Sequence, residues 1–282
     1  MGQPERKPVL TIVTVVWNNI EGLKQTTDSI QQQNYEAVEH VVIDGYSTDG
    51  TREWLRNYKP NYAVSFISEP DDGIYDAMNK GMKLASGEYI QFLNGGDALA
   101  GQNMLAEVEQ SWRENKWDWA YGGIKYIDEN RTPIREYQLS PFSRRRVSRG
   151  LAFVPHPSTY ASRELLLQLG GFDSKFGFSA DQELAVRMSL TSKPYELKKV
   201  LVEYLIVGAH GESSYLATSR RYQQIRFNNH LVILGSTLID NLYTSILALF
   251  WTMRPKVRPA IRTFIGNGAK IIRISRRSEG SL

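Results

Sequence analysis

Oxygen-bearing side chains recur in this sequence where apolar runs stop. Asn18 and Asn19 follow the run that ends at Trp17, Asp44 follows Val38 to Ile43, Glu69 to Asp72 follow Val64 to Ser68, and Asn94 to Asp97 follow Tyr89 to Leu93. Further on, Asp181 and Glu183 open an apolar stretch in GGFDSKFGFSADQELAVRM, and His156 stands between two prolines in VPHPSTY. Carboxylates of this kind can hold a hard divalent cation, take a proton from a hydroxyl, or accept a hydrogen bond from a polar ligand. The chain has no cysteine, which excludes a disulfide framework, thiolate chemistry and cysteine zinc sites, so any metal must be held by oxygen or imidazole.

Each of these groups also has a local use. DGYSTDGT reads as a turn in which Ser47 or Asp49 caps the following helix, Asp72 suits an N-cap, Asp76 and Asp181 suit a first helical turn, and Asp97 suits a turn after two glycines. A lone histidine such as His156 is commonly a hydrogen-bonded structural residue. Arg220 and Arg221 fit either a phosphate clamp or a solvated helix face.

The elements that must position these groups alternate. Leu10 to Trp17, rich in β-branched residues, has the pattern of a strand buried on both faces, and Val38 to Ile43, Val64 to Ser68 and Tyr89 to Leu93 follow it as strands. Helices are expected between them over Gly22 to Gln33, Thr51 to Tyr58 and Asp76 to Ala85. The order β-α-β-α-β-α-β predicts an α/β fold, a parallel sheet flanked by helices, with the ligand site at the carboxyl ends of the strands, where the polar groups lie. Past Gly101 the alternation weakens: a helix is expected over Met104 to Asn115, a strand over Trp119 to Ile127, a hairpin partner over Thr132 to Tyr137, and a loop at Arg144 to Arg146. Arg220 to Met253 reads as one or two helices ended by Pro255.

With 282 residues, 41% hydrophobic and 23% charged, the chain fits one large folded domain with an extension. The N-terminal apolar run ends in Trp-Asn-Asn and reads as a strand, not as a signal peptide. The net charge of +4 is local: from Trp251 onward eight lysines or arginines face the single acid Glu279, a net +7, and the remainder sums to −3. Leu231 to Met253 is apolar but carries Asp240 and Asn241 at its middle, where an acid costs roughly 2.5–3.5 kcal/mol in a membrane span, so this segment is expected to lie on a surface. Apolar residues beside a cationic run suit an anionic membrane; a nucleic-acid partner is not expected, because no recognition motif accompanies the charge.

The ordered set TIVTVVWNN, DGYSTDGT, DDGIYDAMNKG and ASGEYIQFLNGGD resembles the nucleotide-sugar half of the family 2 inverting glycosyltransferases. The resemblance implies a GT-A, Rossmann-like domain over residues 1–219, with a donor half at 1–100, an acceptor half at 101–219 and a basic helical extension at 220–282. It implies donor contacts from Thr14, Val15, Asn18, Asp44, Asp72, Asp76, Asn79, Lys80 and Asn94, with Asp44 on the nucleotide base. Mg2+ or Mn2+ falls to Asp97, with His210 as a further ligand. The family usually has an Asp-x-Asp at the end of this strand, where this chain reads Asn94-Gly95-Gly96-Asp97, so only the final acid is retained and Asn94 offers a neutral oxygen. Asp181 matches the general base, with Glu183 in reserve, and His156 and Arg221 fall on the acceptor or phosphate side.

The activity so implied is transfer of a sugar, with a UDP-sugar as the first choice of donor, to a glycan or lipid-linked acceptor in surface polysaccharide or glycolipid assembly. The setting is cytoplasmic, peripheral on the inner face of the membrane, with a homo-oligomer compatible. The rival reading is a non-catalytic sugar-nucleotide-binding protein of the same fold.

Overall fold

The computed structural model describes residues 9–206 and 214–257. Its centre is β1 (Leu10–Val16), every residue of which is buried. β2 (Val38–Asp44) and β4 (Tyr89–Phe92) pair with it in parallel on either edge, and β3 (Ala63–Ser68) extends β2. Side chains alternate across β1 as a pleated strand requires: Val13 and Val15 enter one core cluster, Leu10 and Ile12 the other. These four strands form as the apolar runs predict, each within a residue or two of the expected bounds.

The helices between them are α1 (Ile20–Gln31), α2 (Thr51–Asn57) and α3 (Ile74–Leu84). Asn19 caps α1 by accepting from the Gly22 amide at 3.0 Å, and Asp49 accepts from the Ile20 amide at 2.8 Å, so a single turn residue ties the starts of α1 and α2 together. α3 lies against β1 so closely that a Cβ on Gly81 would fall 2.3 Å from Val13 Cγ1.

The second half continues the same sheet in mixed orientation. After the two-residue β5 (Ala98–Leu99) and α4 (Met104–Asn115) come β6 (Trp119–Ile127) and β7 (Pro133–Tyr137), the expected hairpin. α5 (Arg144–Ser148) occupies the place where a loop was expected; Ser143 caps it, and Val147 is fully buried. Next come β8 (Thr159–Ser162), α6 (Arg163–Leu169), α7 (Ala180–Thr191) and β9 (Tyr195–Leu205). The sheet order is β3-β2-β1-β4-β8-β6-β9-β5, with β7 on β6. β8 runs antiparallel between β4 and β6 and so joins the two halves.

α8 (Tyr215–Asn228) and α9 (Thr237–Val257) close the described chain, and α9 continues past the stop expected at Pro255. α8 crosses residue 219, where the extension was expected to begin, and its Ile225 belongs to the main core. Arg226, fully buried, donates two 2.8 Å bonds to the equally buried Asp240 of α9 and others to Ser148 O and Thr244 Oγ1. Burial alone would push the Asp240 carboxyl up; the bonds from Arg226 outweigh it and hold the group below the ordinary carboxylate value. Among the described residues no helix is long and apolar enough to cross a membrane.

Two stability predictions follow from buried groups of this frame. Asp240→Ala strands the Arg226 charge in the interior and should cost about 3–5 kcal/mol by urea denaturation, most of it recovered when Arg226→Met is added. His40, wholly buried in β2 with Nε2 2.8 Å from Thr14 Oγ1, is depressed by burial from its ordinary 6.5 to about 3. The unfolded chain therefore gains a proton below 6.5 that the folded chain refuses, and stability falls with pH at a slope approaching about 1.4 kcal/mol per unit. His40→Gln should remove that part of the slope between pH 6.5 and 4; an unchanged slope would place a proton on the buried ring.

Candidate active site

The site is built where β1, β2 and β4 stop. Beyond β1, Asn18 takes a left-handed backbone (φ +47°), donates its amide to Ser47 Oγ at 2.8 Å and accepts from the Thr48 amide at 2.8 Å. Asn18 therefore binds two loops to each other. Thr14 and Val15 are buried within β1: the Thr14 hydroxyl meets His40, and the Val15 carbonyl accepts from the Gly95 amide at 3.1 Å. They position the site from behind.

Asp44 is also wholly buried. Its carboxylate accepts from the Ser47 amide at 3.2 Å and from the Ser68 hydroxyl, and its carbonyl accepts from the Glu69 amide. It braces the turn, a use expected at this motif of Asp49, which does the same for α1 and α2. What faces outward beside it is Trp17, 71% exposed, with Gly45 open between Trp17 and Asp71: a Cβ there would lie 2.7 Å from Asp71 Oδ2 and 3.3 Å from Trp17 Cδ1. Neither Trp17 nor Asp71 was singled out in the sequence, where Trp17 reads as the end of the buried strand.

The entrance to α3 is a charged clamp. Lys80 Nζ lies 3.0 Å from Glu69 and 3.4 Å from Asp76 and donates to Pro70 O, while Asp76 accepts from the Asp72 amide. The bond to Glu69 in particular raises the Lys80 ammonium above its ordinary value. Asp72 itself is exposed. Asn79 points the other way and bonds with both ends of its amide to the Phe172 backbone, at 2.8 and 2.9 Å, so it clasps α3 to the loop after α6.

The chemistry concentrates at the end of β4. Gly96, at φ +106°, lets its amide reach Gly22 O and Thr26 Oγ1, a backbone that favours glycine. Asp97 follows, 4% exposed; Oδ1 accepts from the Leu205 amide at 3.0 Å, and Oδ2 has no partner. Burial raises its carboxyl to about 7, against the pull of the Leu205 amide and the positive potential of His156 and Arg131. Asn94 Oδ1 is likewise buried without a partner, while Asn94 Nδ2 lies 3.3 Å from His156 Nε2. On the far side of the ring, His156 Nδ1 lies 3.5 Å from Asp181 Oδ2.

The ring thus stands between the two groups, with Nε2 toward Asn94 and Nδ1 toward Asp181. Gln182 donates to both carboxylate oxygens of Asp181, at 2.7 and 3.0 Å, and burial together with the Asp181 charge pushes the Tyr75 hydroxyl up. Asp181 and His156 open into a cavity of about 300 Å³ whose wall includes Tyr126, Arg135, Phe153 and Tyr204. Arg135 lies flat over Tyr126 at 4.4 Å.

The remaining expected residues separate. Glu183 is buried and bound by Arg187 at 2.8 and 2.9 Å, and Arg187 also holds Leu169 O and Gly171 O at the end of α6, so Glu183 is a packing pin and not a reserve base. Arg221 lies against the turn before Asp181, 3.5 Å from where a Gly177 Cβ would stand. His210 falls outside the described residues. Among those described, no three acids or histidines gather in a metal-binding cluster. The oxygens that fit a cation are the two orphans, Asp97 Oδ2 and Asn94 Oδ1, a donor set that suits an ion completed by phosphate oxygens.

Known proteins resemble this chain in sequence and in fold. A model of Glycosyl transferase family 2 matches residues 11–169. An uncharacterized glycosyltransferase of Mycobacterium tuberculosis is 34% identical over 215 residues, 73% of this chain and 79% of the relative. Staphylococcus aureus TarS in complex with UDP-GlcNAc has a TM-score of 0.66 at 17% identity, over 88% of this chain and 74% of that one. A mannosyltransferase of Pyrobaculum calidifontis in complex with GDP-Man and Mn2+ has a TM-score of 0.61 at 17% identity, over 91% and 77%. At such identities the two structures attest the GT-A fold alone.

The raised Asp97 carboxyl can be checked without a substrate. Between its ordinary 3.8 and about 7 the unfolded chain has lost a proton that the folded chain keeps, so stability declines as pH rises through that window and levels off above it. In chelator-treated protein, Asp97→Asn should gain Tm relative to wild type from pH 4 to pH 8 by calorimetry. A pH-independent difference would show the carboxyl ionised throughout.

Proposed function

The chain belongs to glycosyl transferase family 2 and is a glycosyltransferase of the GT-A fold; from that membership we propose that it moves a sugar from a nucleoside diphosphate donor to a hydroxyl of a glycan or lipid-linked acceptor, with inversion. The observation that carries the proposal is the line Asn94, His156, Asp181, with the unpartnered oxygens of Asn94 and Asp97 at one end and a carboxylate opening into a cavity at the other. Donor and acceptor ends of a transfer reaction need such separation.

In this reading Asp181 takes the proton of the acceptor hydroxyl as its oxygen bonds to the anomeric carbon from the face opposite the leaving group. The bond from that carbon to the phosphate oxygen breaks, and its electron pair leaves with the diphosphate. Gln182 keeps the Asp181 carboxylate aimed by donating to both of its oxygens, with the His156 ring 3.5 Å away on its other side. Asp97 and Asn94 would hold Mg2+ or Mn2+, whose charge offsets that of the departing diphosphate.

The exposed face of Trp17 offers the nucleobase a stacking surface, with Asp71 and the loop braced by Asp44 beside it. UDP-sugars are the first choice of donor and GDP-sugars the second; the two structural neighbours bind one of each. Tyr126, Phe153 and Tyr204 make an acceptor wall suited to sugar faces. The setting we assign is surface polysaccharide or glycolipid assembly at the cytoplasmic face of a membrane. Retention of one acid at the NGGD turn favours one rival, a binding protein of the same fold without turnover.

Incubation with a panel of UDP-, GDP- and dTDP-sugars and Mn2+ or Mg2+ separates the two readings. Donor turnover should appear with one sugar class and fall roughly 10²-fold or more in Asp181→Asn, with donor affinity retained. Asp97→Ala should instead weaken donor binding. Turnover unchanged in Asp181→Asn removes the base assignment, and tight donor binding with no turnover in the wild type selects the binding protein.

A further inference from the structure

The two sides of α9 differ in kind. Asp240, Thr244, Leu247 and Ala248 turn inward and are buried, whereas Leu238, Leu242, Ile246, Leu249 and Met253 recur three or four residues apart on the opposite side, none less than 49% exposed. Just before the helix, Leu234 is 80% exposed and held at φ +51°, in the left-handed region that a leucine avoids. Packing gives no reason to fix a leucine there, and a strained residue at an exposed tip is a mark of use.

Beside Leu234 opens a second cavity of about 290 Å³, walled by Leu231 to Leu234 and by Arg144, Arg145 and Arg149 of and next to α5. None of these three arginines is paired with an acid among the described residues; Arg144 bonds to Ser189 and Arg149 lies 5.9 Å from the Tyr243 ring. Cations without counter-ions around a concave floor, bordered by exposed leucines, match an anionic headgroup above an apolar phase. In the sequence, α9 leads into the stretch with eight basic residues and one acid.

Resting on the membrane setting of the proposed function, we infer that this surface docks on an anionic bilayer: Leu234, Leu238 and Leu242 enter the headgroup boundary, and the cavity beside Arg145 and Arg149 receives a lipid phosphate. A two-fold pairing of this face with a second copy would set its arginines against one another, so charge selects the bilayer. α9 is fixed to α8 by the Arg226 and Asp240 pair, and α8 carries Arg221 against the turn that leads to Asp181. The docked face and the catalytic carboxylate therefore belong to one continuous frame.

Flotation of the full-length protein on phosphatidylcholine vesicles, with and without phosphatidylglycerol, tests the inference. Wild type should be retained roughly tenfold better when phosphatidylglycerol is present, with retention falling as salt rises. The pair Arg145→Ala, Arg149→Ala should abolish that preference, and the pair Leu238→Ser, Leu242→Ser should weaken retention on both vesicles. Inorganic phosphate should not displace the protein; displacement at low millimolar phosphate would assign the cavity to free phosphate and overturn the lipid site. Absence of wild-type flotation, or an arginine pair that floats as wild type does, also overturns it. If sedimentation shows a dimer that the leucine pair dissociates, the face belongs to a second copy. Donor turnover in detergent-free buffer should be the same in all these proteins, so a failure of turnover bears on the transferase reading and a failure of flotation on this one.

Discussion

Buried on both faces and paired on both edges, β1 has no surface on which a polar side chain could meet a ligand. Its two internal polar groups, Thr11 and Thr14, are taken up by Glu39 and His40, so reactive groups can gather only beyond the carboxyl ends of β1, β2 and β4. That constraint explains why three separate loops interlock there. Asn18 holds the loop after β2, Val15 O holds Gly95 of the loop after β4, and Asn19 caps α1 while its amide reaches Gly95 O. Each loop is thus fixed by backbone that the sheet has already fixed. Removal of any one apolar residue from β1 acts on the site through this frame.

The same constraint sets what the sequence could reveal. Periodicity located the strand ends, and with them Asp97, Asn94 and the first four strands, because a strand buried on both faces leaves a continuous apolar run. It could not tell which way a side chain at a strand end turns. Asp44, Asn79 and Glu183 have the residue types of a ligand site, yet each is consumed by the fold, bracing Ser47 and Ser68, clasping Phe172, and pinning Arg187. Trp17 was hidden for the opposite reason: as the last member of an apolar run it reads as core, and it is exposed. β8 is invisible locally because its four residues become a strand only by filling the gap between β4 and β6, two partners distant in sequence. The resemblance supplied Asp181, since an acid at a helix start is otherwise unremarkable.

At the end of β4 an amide oxygen near Asp97, with no second acid, has a physical logic. A second carboxylate beside the buried Asp97 would add like charge where burial already raises one carboxyl to about 7. An amide supplies an oxygen without that charge, but only if its orientation is fixed, since the other end of an amide is a donor that would repel a cation. His156 bears on that orientation: its Nε2 lies 3.3 Å from Asn94 Nδ2, Oδ1 is left buried without a protein partner, and Asp181 Oδ2 stands 3.5 Å from the other ring nitrogen. In the proposed reaction one imidazole therefore stands between the donor-side amide and the acceptor-side carboxylate. A substitution at His156 should be read at both ends of the reaction.

The C-terminal helices show how the same residue can support opposite sequence arguments. Asp240 in the middle of an apolar stretch argues against a membrane span on energetic grounds, and its actual role is to receive Arg226 in a pair with no exposure at all. Such a pair adds little net stability, because the desolvation of two charges offsets most of their attraction, but it allows one register only. That register turns Thr244, Leu247 and Ala248 toward the body and leaves the leucines of α9 outside. An apolar helix packed by hydrophobic contact alone would have hidden those leucines. The buried charge prevents it, and the apolar surface of α9 is thereby a consequence of the clasp that joins it to the catalytic half.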